Sequence, residues 1–337
     1  MMGSSPMVSV ILPTYNRADL LPGTINSVLD QKFSNLELLV VDDGSTDHTE
    51  KIINDIRKSD PRIQYLKLSI NRGVGFARDY GLRRARGRYI GWADSDDLWM
   101  PNKLDVQVDI LDRYPEIDLL FGDFINTDHI NGVKWHLFAQ NYLAMKNLQT
   151  CQIDTDVFLI KSGLEKALLQ AVFVSLPTML FRANIIDKIG SFDIALGGAE
   201  DFEFFYRAAL FELCFAYIDC PLMNRNKFES GLTANKTVSW QEKIEALRRC
   251  RWWCKKSKRP DLLSHILVAE NRAWRNLISA YGHNRKRNKA FRAYRNSLIR
   301  GFSFRNLLFA IAAIFGPNML LCFKRFLLFL KRRIYQK

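Results

Sequence analysis

The sequence predicts an α/β fold built on a doubly wound, mainly parallel sheet flanked by helices. Three observations predict it. Short apolar runs rich in Val, Ile and Leu alternate with helical stripes across the first hundred residues. The first run, Val8-Ser9-Val10-Ile11-Leu12, is apolar at every position but Ser9, close to the pattern of a strand buried on both faces. Each run then stops at a group of polar residues, and in an open parallel sheet the carboxyl ends of the strands carry the ligands.

The elements follow in order. Val8–Leu12 is a first strand, ended by Pro13. Asp19–Gln31 carries apolar positions at Leu20, Leu21, Ile25, Val28 and Leu29, a helical stripe in which Pro22 is tolerated only near the first turn. Leu36–Val41 is a second strand that stops at Asp42-Asp43-Gly44, and Ser45 or Thr46 is placed to cap the helix running to about Lys58. Ile63–Leu68, Gly75–Arg86 and Tyr89–Trp92 continue the pattern as strand, helix and strand. Right-handed connections bring the strand ends to one edge. That edge collects Pro13-Thr14-Tyr15-Asn16-Arg17, Asp42-Asp43-Gly44, Asn71-Arg72-Gly73 and Asp94-Ser95-Asp96-Asp97.

Asp94, Asp96 and Asp97 arrive together at the end of the fourth strand. Carboxylates gathered at one spot repel one another, and a divalent cation such as Mg²⁺ or Mn²⁺ relieves the repulsion. Asp-x-Asp on extended chain puts both side chains on one face. The plainer alternative is a solvated acidic turn ahead of the helix that begins near Pro101. The chain has no G-x-G-x-x-G after its first strand and no G-x-x-x-x-G-K-[ST], which argues against dinucleotide dehydrogenases and P-loop enzymes. What remains is an aromatic for stacking (Tyr15), a carboxylate to accept hydrogen bonds from a base (Asp43), a cation for phosphate (Arg78) and a metal-binding pair. Together they suit a nucleotide diphosphate held through a divalent ion.

Val8–Arg17, Val40–Asp47, Asn71–Gly81, Gly87–Asp97, Ile189–Asp193 and Gly197–Asp201 form an ordered set of blocks. This set resembles the family 2 glycosyltransferases, which have the GT-A fold. The resemblance implies transfer of a sugar from a nucleotide-sugar donor, a UDP-sugar first, with inversion at the anomeric carbon. It implies that Asp43 reads the base, with Pro13 and Tyr15 lining that pocket. Arg78 then meets the phosphates, Asp94 the ribose, and Asp96 ligates the metal with Asp97 beside it. Asp201 is the catalytic base, with Glu200 as the fallback, although acids at the start of a helix have a purely structural use as well. Arg225 is a further phosphate contact. Many members carry Arg-x-His there, whereas this chain has Lys227 in place of the histidine.

The stretch from about Thr127 to Leu176, with a helical-looking Leu159–Val174, matches no motif and leaves the acceptor unread. His129 and His136 lack partners at metal-ligand spacing. The six cysteines show no paired zinc spacing, which makes a reducing compartment the default, and Met1–Met7 does not read as a secretory signal.

The net charge of +14 belongs to one end of the chain. From Gln241 to Lys337 there are 24 Lys and Arg against only Glu242, Glu245, Asp261 and Glu270, so the preceding part is mildly acidic. Such asymmetry points to an anionic partner for the tail. Residues 1–239 are read as the GT-A domain, 240–301 as a basic helical extension, and 302–337 as amphipathic, membrane-associating helices. In the last segment the apolar runs Leu307–Phe315, Met319–Phe323 and Phe326–Leu330 are broken by cations. None reaches the roughly 18 apolar residues of a spanning helix. A peripheral or monotopic position on the cytoplasmic face of the cell membrane, held to anionic lipid, is expected. It suits an enzyme of cell-surface polysaccharide, lipopolysaccharide or glycolipid assembly with a saccharide or lipid-linked acceptor. The competing reading is a metal-dependent nuclease or nucleic-acid binder using the acidic cluster and the basic tail. The long apolar runs and the lack of a binding motif count against it, so no nucleic-acid partner is expected.

Overall fold

The computed structural model describes residues 5–128, 134–227, 235–299 and 303–315. The chain divides into two compact units, Met1–Gly231 and Leu232–Lys337.

The first unit is built on one sheet. Its strands are β1 (Val8–Thr14), β2 (Leu36–Asp42), β3 (Ile63–Lys67), β4 (Tyr89–Trp92), β5 (Asp97–Trp99), β6 (Leu119–Asp128), β7 (Lys134–His136), β8 (Gln149–Asp154), β9 (Val157–Ser162), β10 (Leu180–Arg182) and β11 (Phe215–Lys227). They run in the order β3-β2-β1-β4-β10-β6-β11-β9-β8, with β5 added to β11 and β7 to β6. The first four are mutually parallel, and all seven residues of both β1 and β2 are buried, as strands covered on both faces require.

Beyond β4 the sheet is mixed rather than mainly parallel. β10 enters antiparallel between β4 and β6, β11 is parallel to β6, and β8 and β9 form an antiparallel pair on its far side. This change begins where the strict alternation of strand and helix ends in the sequence.

The helices of this unit are α1 (Leu21–Leu29), α2 (Thr49–Ile56), α3 (Val74–Leu82), α4 (Lys103–Arg113), α5 (Leu137–Gln140), α6 (Tyr142–Met145), α7 (Leu164–Gln170), α8 (Ile185–Ile189) and α9 (Glu200–Leu210). Three local expectations are corrected. Neither Ser45 nor Thr46 caps α2: Asp47 Oδ1 accepts the Thr49 N–H at 3.0 Å, while Ser45 Oγ accepts the Asn16 N–H at 2.9 Å. α3 stops at Leu82, short of Arg86, because the Arg86 and Gly87 N–H groups are drawn to Ser9 Oγ at 3.0 and 2.7 Å. A Cβ on Gly87 would stand 2.4 Å from the Ser9 backbone nitrogen, so only glycine permits that approach. Finally, the helical reading of Leu159–Val174 is wrong in its first part. That part is β9, Gly163 turns the chain at φ +91°, and α7 takes only Leu164–Gln170.

The second unit is helical among its described residues: α10 (Lys236–Lys256), α11 (Leu263–His283), α12 (Arg287–Leu298) and α13 (Phe304–Phe315). Cys250, Cys254, Trp274, Leu277 and Ile278 are buried within it. No helix among the described residues is long and apolar enough to cross a membrane. The runs Met319–Phe323 and Phe326–Leu330 lie outside the described residues.

Candidate functional site

The parallel half of the sheet presents its carboxyl ends side by side, and hydrogen bonds between the connecting loops fix their polar residues. Asn16, at φ +50°, accepts the Thr46 N–H on its Oδ1 at 2.8 Å, and Ala18 donates to Asp47 Oδ2 at 3.1 Å. The loop after β1 is thereby tied to the loop after β2. Pro13 is buried in β1 in register with Val41, whereas Tyr15, just past the strand, is 44% exposed and offers its ring for stacking. Asp43 is buried, and both its carboxylate oxygens accept backbone N–H groups, from Arg72 and Gly73, each at 2.8 Å. Burial pushes its carboxyl up, and those two N–H groups oppose the shift. Asp43 therefore organises the loop that leads into α3.

Arg78 projects from α3 and is nearly buried. Its guanidinium holds Asp94 Oδ1 at 2.9 Å through Nη2 and pairs with Glu200 through Nη1. Burial disfavours the charge, but Glu200 and Asp94 outweigh it and hold the guanidinium above its ordinary range. Gly75, one turn earlier, makes the approach possible: a Cβ there would stand 3.1 Å from the Leu196 carbonyl oxygen and 3.5 Å from Glu200 Cγ.

On the other side, α9 starts from Ala199 in the left-handed region at φ +64°. That turn sets Glu200 and Asp201 side by side in the first helical turn, where the helix dipole favours negative charge. Glu200 is 1% exposed and its carboxyl is raised by burial against the pull of Arg78. Asp201 is half-buried and accepts the Phe202 N–H on Oδ1 at 2.6 Å.

Asp96 and Asp97 complete the cluster. Burial and then the Asp94 charge raise both carboxyls; Arg17 and Arg225 oppose the shift at Asp96, and Arg225 at Asp97. Arg225 reaches them because β5 pairs antiparallel with β11, Arg225 opposite Asp97, and its guanidinium lies 5.8 Å from the Phe124 ring centre.

The structure thus gathers Arg78, Asp94, Asp96, Asp97, Glu200, Asp201 and Arg225 through their ion pairs and mutual fields. Tyr15, Pro13 and Asp43 sit on the neighbouring strand ends. Arg17 was not assigned a role from the sequence, although its position just past β1 was the available signal. The pairing of Glu200 with Arg78 carried no local signal at all. His136 Nδ1 lies 2.8 Å from Asp123 Oδ2. His129 and the Lys227 side chain fall outside the described residues.

The donor set suits a hard divalent cation. Asp97 Oδ1 is buried with no hydrogen-bond partner among the described residues, in a field of carboxylates. No group of three or more His, Cys, Asp or Glu converges as a ready cage among the described residues. A pair of carboxylates that completes its shell with substrate phosphates and water is the usual arrangement for Mg²⁺.

Residues 9–172 match the model of Glycosyl transferase family 2. That segment is a glycosyltransferase domain of the family 2 type. That decides between the two sequence readings, in favour of sugar transfer over the nuclease. The family 2 sequence is similar to the UDP-Glc:alpha-D-GlcNAc-diphosphoundecaprenol beta-1,3-glucosyltransferase WfgD of Escherichia coli, 38% identical over 128 residues, which are 37% of this chain and 49% of that one. It is also similar to the putative teichuronic acid biosynthesis glycosyltransferase TuaG of Bacillus subtilis, 44% identical over 106 residues, 32% of this chain and 42% of that one. Both relatives are thus matched over about half of their length or less. Among solved structures, S. aureus TarS 1-349 in complex with UDP-GlcNAc superposes with a TM-score of 0.57 at 18% identity, covering 92% of each chain. This likeness establishes the fold of the family 2 glycosyltransferase as GT-A.

Proposed function

We propose that this glycosyltransferase moves a sugar from a UDP-sugar to a hydroxyl of a saccharide or lipid-linked acceptor, with inversion, in the assembly of a cell-surface polysaccharide. The observation that carries the reading is the division of labour at the start of α9. Glu200 is buried and committed to Arg78, while its half-buried neighbour Asp201 stands at a helix N-terminus beside the same cationic centre. Asp201 is the base that takes the proton from the acceptor hydroxyl as the hydroxyl oxygen attacks the anomeric carbon and the bond to the diphosphate breaks.

Arg78 and Arg225 meet the negative charge that develops on the departing diphosphate. Asp96 and Asp97 are the residues that would hold Mg²⁺ or Mn²⁺, whose charge offsets that of the same leaving group. Tyr15 stacks on the base, Pro13 lines its pocket, Asp43 fixes the loop that borders it, and Asp94 faces the ribose. The activity named for the relative WfgD, with a UDP-linked donor and a diphosphoundecaprenol acceptor, supports the donor and acceptor classes.

Residence at the cytoplasmic face of the membrane is part of the proposal. The second unit exposes Trp252, Phe291 and Ile299 at 53%, 53% and 76% among its many cations, a surface suited to the interface of an anionic bilayer.

The test is thermal stability of the full chain against UDP, GDP, ADP and CDP, with and without Mn²⁺. A ligand that binds only the folded state raises stability by about 2.7 kcal/mol at a hundred times its Kd. The expected result is a Mn²⁺-dependent rise with UDP that Asp96→Ala abolishes. A rise with GDP alone overturns the donor assignment, and a full rise with UDP in the presence of EDTA overturns the metal assignment.

A further inference from the structure

We infer that the helical unit carries a second binding site of its own, for a phosphate ester borne on a sugar. A cleft of about 460 Å³ opens between α10, α11 and α12, within the range of about 300–1,000 Å³ in which small-molecule sites fall. Each helix contributes one stripe at helical spacing: Gln241, Ile244 and Arg248 from α10; Trp274, Leu277 and Tyr281 from α11; Lys289, Arg292 and Asn296 from α12.

The lining has a chemical bias. It includes three cations and no carboxylate. Lys289 and Arg292 have no acidic partner among the described residues, and Arg248 spends one Nη on Glu245 at 2.9 Å while its buried Nε has none. Cations held close together without counter-charge repel one another, and an anion relieves that cost. Guanidinium groups present paired N–H donors that match a phosphate bidentately.

The remaining groups suit a sugar. Trp274 is only 6% exposed, and its indole Nε1 is buried without an acceptor among the described residues. Buried indole N–H groups ordinarily find one. Gln241 donates to the Tyr281 hydroxyl at 3.1 Å, which leaves the Tyr281 O–H and the Gln241 carbonyl available to ligand hydroxyls. A cleft with an aromatic and aliphatic floor, amide side chains and three cations can bind a polyhydroxylated ring and its phosphate together. This site concerns the second unit alone and does not depend on the donor assignment in the first.

The test is calorimetric titration of the full chain with glucose 1-phosphate, glucose and inorganic phosphate, in EDTA so that metal-dependent donor binding is silent. Saturable binding of glucose 1-phosphate is expected, tighter than that of phosphate and absent for glucose. The exposed substitution Arg292→Gln and the pair Arg248→Gln/Arg292→Gln should weaken it at least tenfold while the melting temperature is kept. Trp274→Phe, which keeps the ring and removes the N–H, should weaken it several-fold. The donor-site variant Asp96→Ala should bind as the parent does. Equal binding by the parent and the Arg248→Gln/Arg292→Gln variant overturns the site, as does the absence of saturable binding to any probe. A parallel arm sediments the chain with phosphatidylglycerol vesicles. If the paired substitution releases the chain from vesicles while glucose 1-phosphate never binds, the phosphate belongs to a lipid headgroup and the sugar assignment fails.

Discussion

Arg78 and Glu200 stand 122 residues apart in the chain and meet as a buried ion pair that joins α3 to the first turn of α9. Removing one partner of such a pair strands the other charge away from water, at a cost of about 3–5 kcal/mol, whereas replacing both by apolar groups of similar volume is close to neutral. Arg78→Met is therefore expected to lower the unfolding free energy by several kcal/mol, and Arg78→Met/Glu200→Leu to recover most of the loss. Urea denaturation of the three proteins checks this. Additive losses in the double variant would show that the two residues do not act as a pair.

The same geometry separates the roles of the two acids at the start of α9. Asp201→Asn is expected to reduce turnover by about 10²–10⁴-fold, the usual contribution of a positioned base, with donor affinity nearly unchanged. Glu200→Gln acts through Arg78 instead. It should weaken donor binding and lower stability while leaving the pH dependence of turnover in place. Steady-state kinetics across pH, with donor affinity measured separately, distinguish the two. Normal turnover in Asp201→Asn would return the role of base to Glu200.

How much of this was legible in the sequence follows from the range of the forces involved. The first four strands could be read because burial on both faces demands continuous apolar runs, and the polar residues behind each run follow from the topology of a parallel sheet. Asp94, Asp96 and Asp97 were visible as a local excess of like charge. By contrast, β9 was mistaken for helix because a short apolar run is compatible with either period, and only the turn at Gly163 settles it. The Arg78–Glu200 pair, the loop-fixing hydrogen bonds of Asp43 and the pairing of β5 with β11 are tertiary, and no local pattern encodes them.

Asp97 sits buried among other carboxylates, with Oδ1 unpartnered among the described residues, so its charged form is disfavoured there until a cation binds. Asp97→Asn keeps the shape and removes that charge. The variant is expected to be more stable than the parent by about 1 kcal/mol or more in metal-free buffer, since burying an unpaired charge is costly. It should also gain less stability from UDP with Mn²⁺. Thermal melts with EDTA and with UDP and Mn²⁺ test both halves. A variant that is destabilised without metal would show that the carboxylate is structural.

Lys103, at the start of α4, is fully buried, with Nζ donating to Gln107 Oε1 at 2.7 Å and lying 3.9 Å from the Trp99 ring centre. Gln107 in turn donates to the Leu120 and Thr178 carbonyl oxygens at 3.1 and 2.9 Å, so the lysine closes a polar chain inside the core. Burial lowers the ammonium pKa from 10.5 to about 7. Below that value both the folded and unfolded chains hold the proton, and the cost of the buried charge is fully present. Between about 7 and 10.5 the unfolded chain keeps the proton and the folded chain has lost it. Stability therefore climbs with pH across this window, by about 1.4 kcal/mol per unit from this residue alone. Lys103→Met, which keeps the unbranched stem and removes the titration, should be at least as stable as the parent at pH 7 and should lose the climb. The difference between the two unfolding free energies, measured in urea from pH 7 to 10, is expected to swing toward the parent as pH rises. Parallel profiles would mean that the folded chain keeps the Lys103 proton throughout the window, and that its hydrogen bond to Gln107 is that of an ammonium.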